Sequence, residues 1–222
     1  MCGRISIWDL KQLDKEYGPW RKQDKNQIPL LKPHYNGSPS QYLPVKTEEG
    51  LELMRWGLVP SWSKTFSTPF STINARAEGI ETSKLYARLL KTNRAIIPVN
   101  SFFEWKHGEG KTKIPMLIKD KKHSLIGLAG LWDHWFDAEK NEFRTFTILT
   151  TRPNSFIASI HDRMPVILEK DEEKPWLEEK EYIDFKLVLD PYPENQLEAY
   201  PVSTLVNRPV NDSPSVIEQL GV

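Results

Sequence analysis

The chain has 222 residues, of which 39% are hydrophobic and 27% are charged, and its formal net charge is +0. This composition is typical of a globular protein, and because the charge is balanced, any nucleic-acid site must be a local patch. A single cysteine excludes an internal disulfide and suits a reducing compartment, and no apolar run reaches the ~20 residues of a membrane span.

The first distinctive residue is Cys2, which directly follows Met1. Because its side chain is small, we expect Met1 to be removed, so that the mature chain, 2–222, carries an α-amine and a thiol on one residue. In unperturbed models these groups titrate near ~7.7–8.0 and ~8.5. A 1,2-aminothiol can condense with an aldehyde to an imine and then close a thiazolidine ring. The alternative is an incidental cysteine at a chain terminus.

Short strands dominate the predicted elements. In chain order the pattern predicts a strand at 3–8, a helix at 10–17, a hairpin of 41–47 with 51–57, an irregular Pro- and Ser-rich loop at 58–73, a helix at 83–92, strands at 94–99, 101–105, 113–119, 123–132 and 143–151, a helix at 153–160, and a charged surface segment containing a helix at 169–182. No long linker interrupts them. We therefore predict one α+β domain, mainly of antiparallel strands that can close into a barrel, with short flanking helices.

The stretch "NARAEG" (74–79) carries polar residues that a core does not need. If it is extended, Asn74, Arg76 and Glu78 share one face. An amide and a guanidinium on one face suit recognition of a phosphate or a carbonyl. The alternative is a strand edge with a salt bridge.

In "SFFEWK" (101–106), Glu104 lies between aromatic residues of a predicted strand. Such an environment raises the pKa of a carboxyl group by desolvation, which is one way to make a general acid. The alternative is a glutamate paired with Arg4 or Arg76.

In "SIHDRMPVIL" (159–168), His161 falls at the predicted C-terminal end of the 153–160 helix. The helix dipole there favours imidazolium, which suits a proton shuttle. The other histidines lie in polar or loop contexts and are predicted to be at the surface: His34, His107, His123 and His134. Together, an amino-terminal thiol, a glutamate among aromatics, a histidine and an Asn/Arg face suit carbonyl chemistry.

Seven motifs occur in an order that resembles the SOS-response-associated peptidase (SRAP) family: "MCGR", "MRWGLVPSW", "NARAE", "IIPVNSFFEW", "LAGLW", "HDRMPVIL" and "PVSTLVN". The resemblance covers residues 2 to about 212. It implies an SRAP fold and a covalent crosslink between Cys2 and abasic sites in single-stranded DNA. In that scheme Asn74 positions Cys2 or the sugar, Glu104 assists ring opening, and His161 moves protons at the sugar oxygen and helps to reverse the adduct.

The resemblance also implies a DNA-binding surface, in which Arg4, Arg76 and Arg163 hold phosphates while Trp105 and Trp62 stack bases or block a continuing duplex. It predicts a cytoplasmic monomer that joins the nucleoid when bound to DNA, without a cofactor, metal or membrane. Three other functions remain open from the residues alone: a thiol autopeptidase or peptidase that uses Cys2, an amino-terminal-cysteine amidohydrolase, and a noncatalytic DNA-binding module. The amidohydrolase's further motifs do not occur.

Overall fold

The computed structural model describes residues 2–21, 31–67, 71–178 and 190–221. Across these residues the strands are β1 (Ile5–Ile7), β2 (His34–Gly37), β3 (Tyr42–Thr47), β4 (Gly50–Trp56), β5 (Asn74–Arg76), β6 (Arg94–Val99), β7 (Ser101–His107), β8 (Lys113–Asp120), β9 (Ile126–Phe136), β10 (Glu142–Thr151), β11 (Met164–Pro165), β12 (Ile167–Leu168) and β13 (Leu197–Pro201). The α-helices are α1 (Leu10–Tyr17), α2 (Ala87–Thr92), α3 (Ser155–Ala158) and α4 (Lys170–Glu178).

Five strands close into a mixed barrel in the order β10-β4-β3-β6-β9, and β9 pairs back onto β10. Every neighbouring pair is antiparallel except β4 and β10, which run in parallel with Trp56 opposite Phe146. These two residues are fully buried, and their rings stack with centroids 6.1 Å apart. The barrel confirms the predicted α+β class with mainly antiparallel strands.

A second, five-stranded antiparallel sheet has the order β13-β8-β7-β1-β2. Because side chains alternate along a strand, β7 turns Phe102 toward the barrel and Phe103 away from it. Phe102 joins the cluster that contains the barrel core, whereas Phe103 packs with Val202 and Val206 of the C-terminal segment. This sheet therefore covers one side of the barrel and carries Glu104 on its inner face.

The predicted hairpin and the strands predicted at 94–99, 101–105, 113–119 and 143–151 occur within two residues of their predicted bounds, and α1 matches its bounds. The strand predicted at 123–132 is displaced to Ile126–Phe136, and the strand predicted at 3–8 is shorter, at Ile5–Ile7. The 83–92 prediction was too long, because Ser83 accepts backbone N–H groups of Leu85 and Tyr86 through its side chain and α2 begins only at Ala87. Part of the 58–73 loop, at 68–70, and part of the 169–182 segment, at 179–182, lie outside the described residues.

The predicted helix at 153–160 is also shorter than expected. Asn154 caps it by accepting the N–H of Ile157 at 2.8 Å, so the helix begins at Ser155 and ends after four residues at Ala158. Asn154 rather than Pro153 thus defines its start.

Gly130 lies at a tightly packed position of the barrel, where a Cβ atom has no room. It lies on β9 opposite Ala95 of β6 and Ile148 of β10. A Cβ atom there would meet the side chain of Ile97 and lie 2.7 Å from the backbone oxygen of Thr147. The Thr147 oxygen belongs to the backbone of β10 and cannot move without disturbing the hydrogen bonds between β9 and β10.

We expect Gly130→Ala to lower the free energy of unfolding by about 1–3 kcal/mol through overpacking. Urea unfolding followed by tryptophan fluorescence measures this. Gly221→Ala is the matched control, because a Cβ atom at that position meets nothing within 4 Å. Equal urea midpoints for both variants would contradict the expected close packing.

Candidate active site

Cys2 is fully buried although it stands at the start of the chain. It packs with Ile5 and Phe102 in the cluster shared by the barrel and the second sheet. The Asn74 side-chain Nδ2 donates to the carbonyl oxygen of Cys2 at 2.8 Å. Asn74 belongs to β5, which pairs in parallel with β10. This hydrogen bond therefore ties the start of the chain to the barrel.

The other amide atom of Asn74, Oδ1, is buried and has no hydrogen-bond partner within the described parts of the chain. An unsatisfied buried acceptor costs about 1–3 kcal/mol. Such an atom suits a donor that arrives with a ligand, or the ammonium group of an N-terminus created by processing.

Glu104 has a side chain that is only 2% exposed. Burial raises its pKa to about 7, as predicted from its aromatic neighbours. At neutral pH the carboxyl group is therefore close to its titration midpoint. It can donate a proton in one step and accept one in another.

The Cys2 thiol has a raised pKa for two reasons, burial first and the negative charge of Glu104 second. A hydrogen bond from the backbone of Arg4 acts in the opposite direction. The balance holds the thiol in its protonated form at neutral pH in the chain that begins with Met1.

His161 lies beyond α3, with Nε2 3.7 Å from Oε2 of Glu104. Its Nδ1 accepts the backbone N–H of Arg163 at 3.0 Å and lies 2.9 Å from Oδ1 of Asp162. Burial lowers the pKa of His161. The expectation that a helix dipole favours imidazolium was therefore wrong, because α3 is a single turn and desolvation outweighs it.

An open cavity of about 520 Å³ adjoins the pair of Glu104 and His161, and its other lining residues are Trp105, His107, Lys113 and Asn207. The sequence pattern assigned no role to Lys113 or Asn207, and it correctly placed His107 at the surface, whereas the same prediction for His34 was wrong because His34 is buried. His107 and Lys113 are cross-strand neighbours on β7 and β8, which only the register reveals. Asn207 had a signal, because it ends the motif "PVSTLVN".

The three predicted phosphate-binding arginines have different surroundings. Arg76 is exposed, and alternation along β5 places it on the same face as Asn74. Arg4 is partly buried, and its Nη1 donates to Oδ1 of Asn36 at 3.1 Å.

Arg163, by contrast, already has an anionic partner. Its two terminal nitrogens donate to the two carboxylate oxygens of Glu78 at 2.7 Å each, and Nη2 also donates to the backbone oxygen of Thr150. The alternative interpretation of the 74–79 stretch, a strand edge with a salt bridge, therefore applies to Glu78, which pairs with Arg163. The bidentate pair fixes the turn that carries His161.

The two predicted stacking tryptophans also differ. Trp105 lies on the opposite face of β7 from Glu104, and its Nε1 donates to Oδ1 of Asn207 at 2.7 Å. Trp62 is 69% exposed. Its loop is anchored on either side, because the N–H of Ser61 donates to Asp133 at 2.9 Å and the indole of Trp135 donates to the Ser63 carbonyl at 2.8 Å.

Within the described ranges, no group of three or more His, Cys, Asp or Glu side chains could hold a metal ion. Among the helices of those same ranges, none combines the length and apolarity required to cross a membrane.

The sequence model of the family described as SOS response associated peptidase (SRAP) matches residues 1–209. The chain is 44% identical to the abasic site processing protein YoqW of Bacillus subtilis, over 98% of this chain and 99% of that protein. It is 31% identical to the abasic site processing protein HMCES of Gallus gallus, over 100% of this chain and 79% of that one. A crystal structure of a protein from Bacteroides thetaiotaomicron superimposes with a TM-score of 0.88 at 27% identity, covering 99% and 100% of the two chains. The chain belongs to the SOS response associated peptidase (SRAP) family.

Proposed function

We propose that this protein processes abasic sites by binding single-stranded DNA and forming a covalent thiazolidine crosslink between Cys2 and the abasic sugar. Its similarity to proteins named abasic site processing proteins supports the substrate class. The observation that carries the chemistry is the convergence of Cys2, Asn74 and Glu104, with His161 beside them, next to an open cavity. This set suits an aldehyde that reacts with an amine and a thiol.

The crosslink forms in two steps once Met1 has been removed. The Cys2 amine attacks the C1′ aldehyde of the ring-opened sugar, and loss of one water molecule gives an imine. The thiol then adds across the C=N bond, so that an S–C bond forms and the thiol proton moves to the nitrogen. Amine, thiol and aldehyde are thus converted into a thiazolidine and water, without an oxidant or a cofactor.

Glu104 and His161 divide the proton transfers. With a pKa of about 7, Glu104 can take the C1′ hydroxyl proton as the sugar opens and return a proton when water leaves. His161 has a lowered pKa and presents Nε2 toward Glu104. It delivers a proton to the sugar oxygen and removes one during reversal. Asn74 supplies the acceptor Oδ1 for the amine or a sugar hydroxyl.

DNA binding depends on a local patch because the net charge is +0. Arg76 and Arg4 contact the flanking phosphates. Arg163 stays paired with Glu78 and holds the turn that carries His161. We therefore no longer assign Arg163 to a phosphate. The exposed Trp62 stacks on a base or blocks a continuing duplex, and Trp105 borders the cavity. In this scheme the protein acts as a cytoplasmic monomer that shields abasic sites on the nucleoid.

A thiol peptidase is the second candidate, because the family's name records that activity. It needs a thiolate, whereas burial raises the pKa of the Cys2 thiol. The thiazolidine route starts instead with the amine, which supports crosslinking as the main activity. Glutaminase and peptidase assays with the same preparation test the amidohydrolase and peptidase alternatives directly.

We predict that Cys2→Ala abolishes the stable adduct and that Cys2→Ser leaves at most a labile imine, because only sulfur closes and holds the ring. The measurement is denaturing electrophoresis after incubation with an abasic single-stranded oligonucleotide. Intact-mass spectrometry of the active protein should show that Met1 is absent. A heat-stable adduct at the wild-type level from Cys2→Ala, or activity with Met1 retained, would falsify the assignment.

We predict that Glu104→Gln slows adduct formation by roughly 10²-fold, and that His161→Ala mainly slows reversal. The rate of the wild-type protein should rise through pH ~7 as Glu104 ionises, and this inflection should disappear in Glu104→Gln. The measurement is single-turnover crosslinking across a pH series. Unchanged forward and reverse rates in both variants would return these residues to structural roles.

Unfolding measurements provide the control for that experiment. A carboxyl group whose pKa is raised on folding contributes stability below its unfolded pKa, and this contribution is lost as pH rises through about 7. Glu104→Gln should therefore be at least as stable as the wild type at pH ~8. A slow but stable variant shows that the lost rate does not result from unfolding.

We predict that Arg76→Ala reduces the magnitude of the log K against log salt slope by about 0.7 on single-stranded DNA. Trp62→Ala should lose about 1–3 kcal/mol of stacking and narrow the preference for single strands or junctions over continuous duplex. The measurement is crosslinking and binding on matched abasic substrates across a salt series. Lys174→Ala is the control, since Lys174 is 79% exposed on α4. Equal salt slopes in Arg76→Ala and Lys174→Ala would exclude Arg76 from the phosphate contacts.

A further inference from the structure

The imidazole of His161 faces two environments. Its Nε2 points to the buried Glu104, whose side chain is 2% exposed, whereas Nδ1 lies 2.9 Å from the carboxylate of Asp162, whose side chain is 89% exposed. The ring itself is 23% exposed. It therefore separates a buried carboxyl group from one in water.

Three groups lie at Nδ1, and they favour different protonation states: the backbone N–H of Arg163 favours a bare nitrogen, whereas the Asp162 carboxylate and the backbone oxygen of Arg163, 3.3 Å away, favour a protonated one. The backbone N–H of Arg163 donates to Nδ1 at 3.0 Å, which requires a bare nitrogen and places the single proton of a neutral ring on Nε2. The Asp162 carboxylate can only accept, so its contact is favourable when Nδ1 carries a proton. The neutral ring is therefore stabilised at Nδ1 by the Arg163 N–H, and the ring protonated at Nδ1 is stabilised there by the Asp162 carboxylate.

We propose that Asp162 is a positioning residue that stabilises protonated Nδ1 of His161 and so links the buried reaction site to solvent protons. A proton from water adds to Nδ1 beside Asp162, and the proton already on Nε2 passes to Glu104 or to the sugar oxygen. One proton enters the ring and one leaves it. Reversal runs through the same atoms in the opposite order.

The other charged groups near the ring cannot stabilise a proton on Nδ1. Lys113 on β8 lowers the pKa of His161, whereas Asp162 and the backbone of Arg163 raise it. Glu104 on β7 lies on the Nε2 side, 3.7 Å away. Asp162 is therefore the carboxylate at Nδ1, and its exposure gives it free exchange with water.

The turn that carries Asp162 is fixed independently of the ring. Arg163 holds it through the bidentate pair with Glu78 and the bond to the Thr150 carbonyl. Replacement of the exposed Asp162 side chain therefore leaves the frame of the turn in place. This makes Asp162→Asn a selective change of charge.

The test is an NMR pH titration of the histidine rings in protein free of DNA, with the His161 signals identified by their loss in His161→Ala. We expect Asp162→Asn to lower the proton affinity of His161 about 1.5- to 5-fold, the size of an exposed ion pair, and Asp162→Glu to restore most of it. Glu139→Gln, which removes an exposed carboxylate from the β9–β10 turn, should leave His161 unchanged. The other four histidines serve as internal references.

An unchanged His161 midpoint in Asp162→Asn, or an equal fall in Glu139→Gln, overturns the inference. Its consequence for reactivity rests on the proposed function and is measured separately: in Asp162→Asn the fast range of adduct reversal moves to lower pH, and Asp162→Glu moves it back. If the wild-type protein forms no adduct, the proposed function fails while the titration still decides the role of Asp162. If the adduct forms but its reversal profile is identical in Asp162→Asn, the proton relay is refuted.

Discussion

The hydrogen bond from the Asn74 amide to the Cys2 carbonyl holds the start of the chain inside the fold. Chain termini usually fray, because few contacts offset the entropy of ordering them. Here the next residues continue into β1, which pairs with both β2 and β7. The terminus thus becomes part of the core. A reactive amine created by removal of Met1 would be held beside Glu104 rather than moving freely in solvent.

Burial is also the common cause of the electrostatics of the site. It raises the pKa values of Cys2 and Glu104 and lowers that of His161, so each group is driven toward its neutral form. In a poorly solvated space the neutral forms avoid the cost of burying a charge, and the raised pKa of Glu104 and the lowered pKa of His161 bring the proton affinities of the two groups closer together. The mixed barrel supplies this environment, and the second sheet closes over it while the cavity stays open beside His161.

The proposed DNA site needs a local positive patch, because the chain has no formal net charge. Arginines that appear equivalent in the sequence are distributed by the fold between structural and available roles. Arg163 is committed to Glu78, Arg4 is partly tied to Asn36, and Arg76 stays exposed. The positive charge available to a local DNA-binding patch therefore depends on which guanidinium groups are not already paired with other side chains.

The sequence by itself determined the class of the fold and indicated the residues of the proposed site. Short runs of apolar, β-branched and aromatic residues located β6, β7 and β10 closely, because strand propensity is a local property. Glu104 between aromatic residues correctly indicated a raised pKa, since burial of one strand face can be inferred from its neighbours.

Only the tertiary structure decided which residues meet. The β4–β10 pairing closes the barrel, and the register of β7 on β8 brings Lys113 beside His107 at the cavity. Glu104, which lies beside His161, and Glu78, which pairs with Arg163, come from distant segments. Desolvation of His161 outweighs the local helix dipole, and Arg163, which was expected to bind phosphate, is paired with a carboxylate. Long-range pairing and burial depend on the whole chain, and no local pattern encodes them.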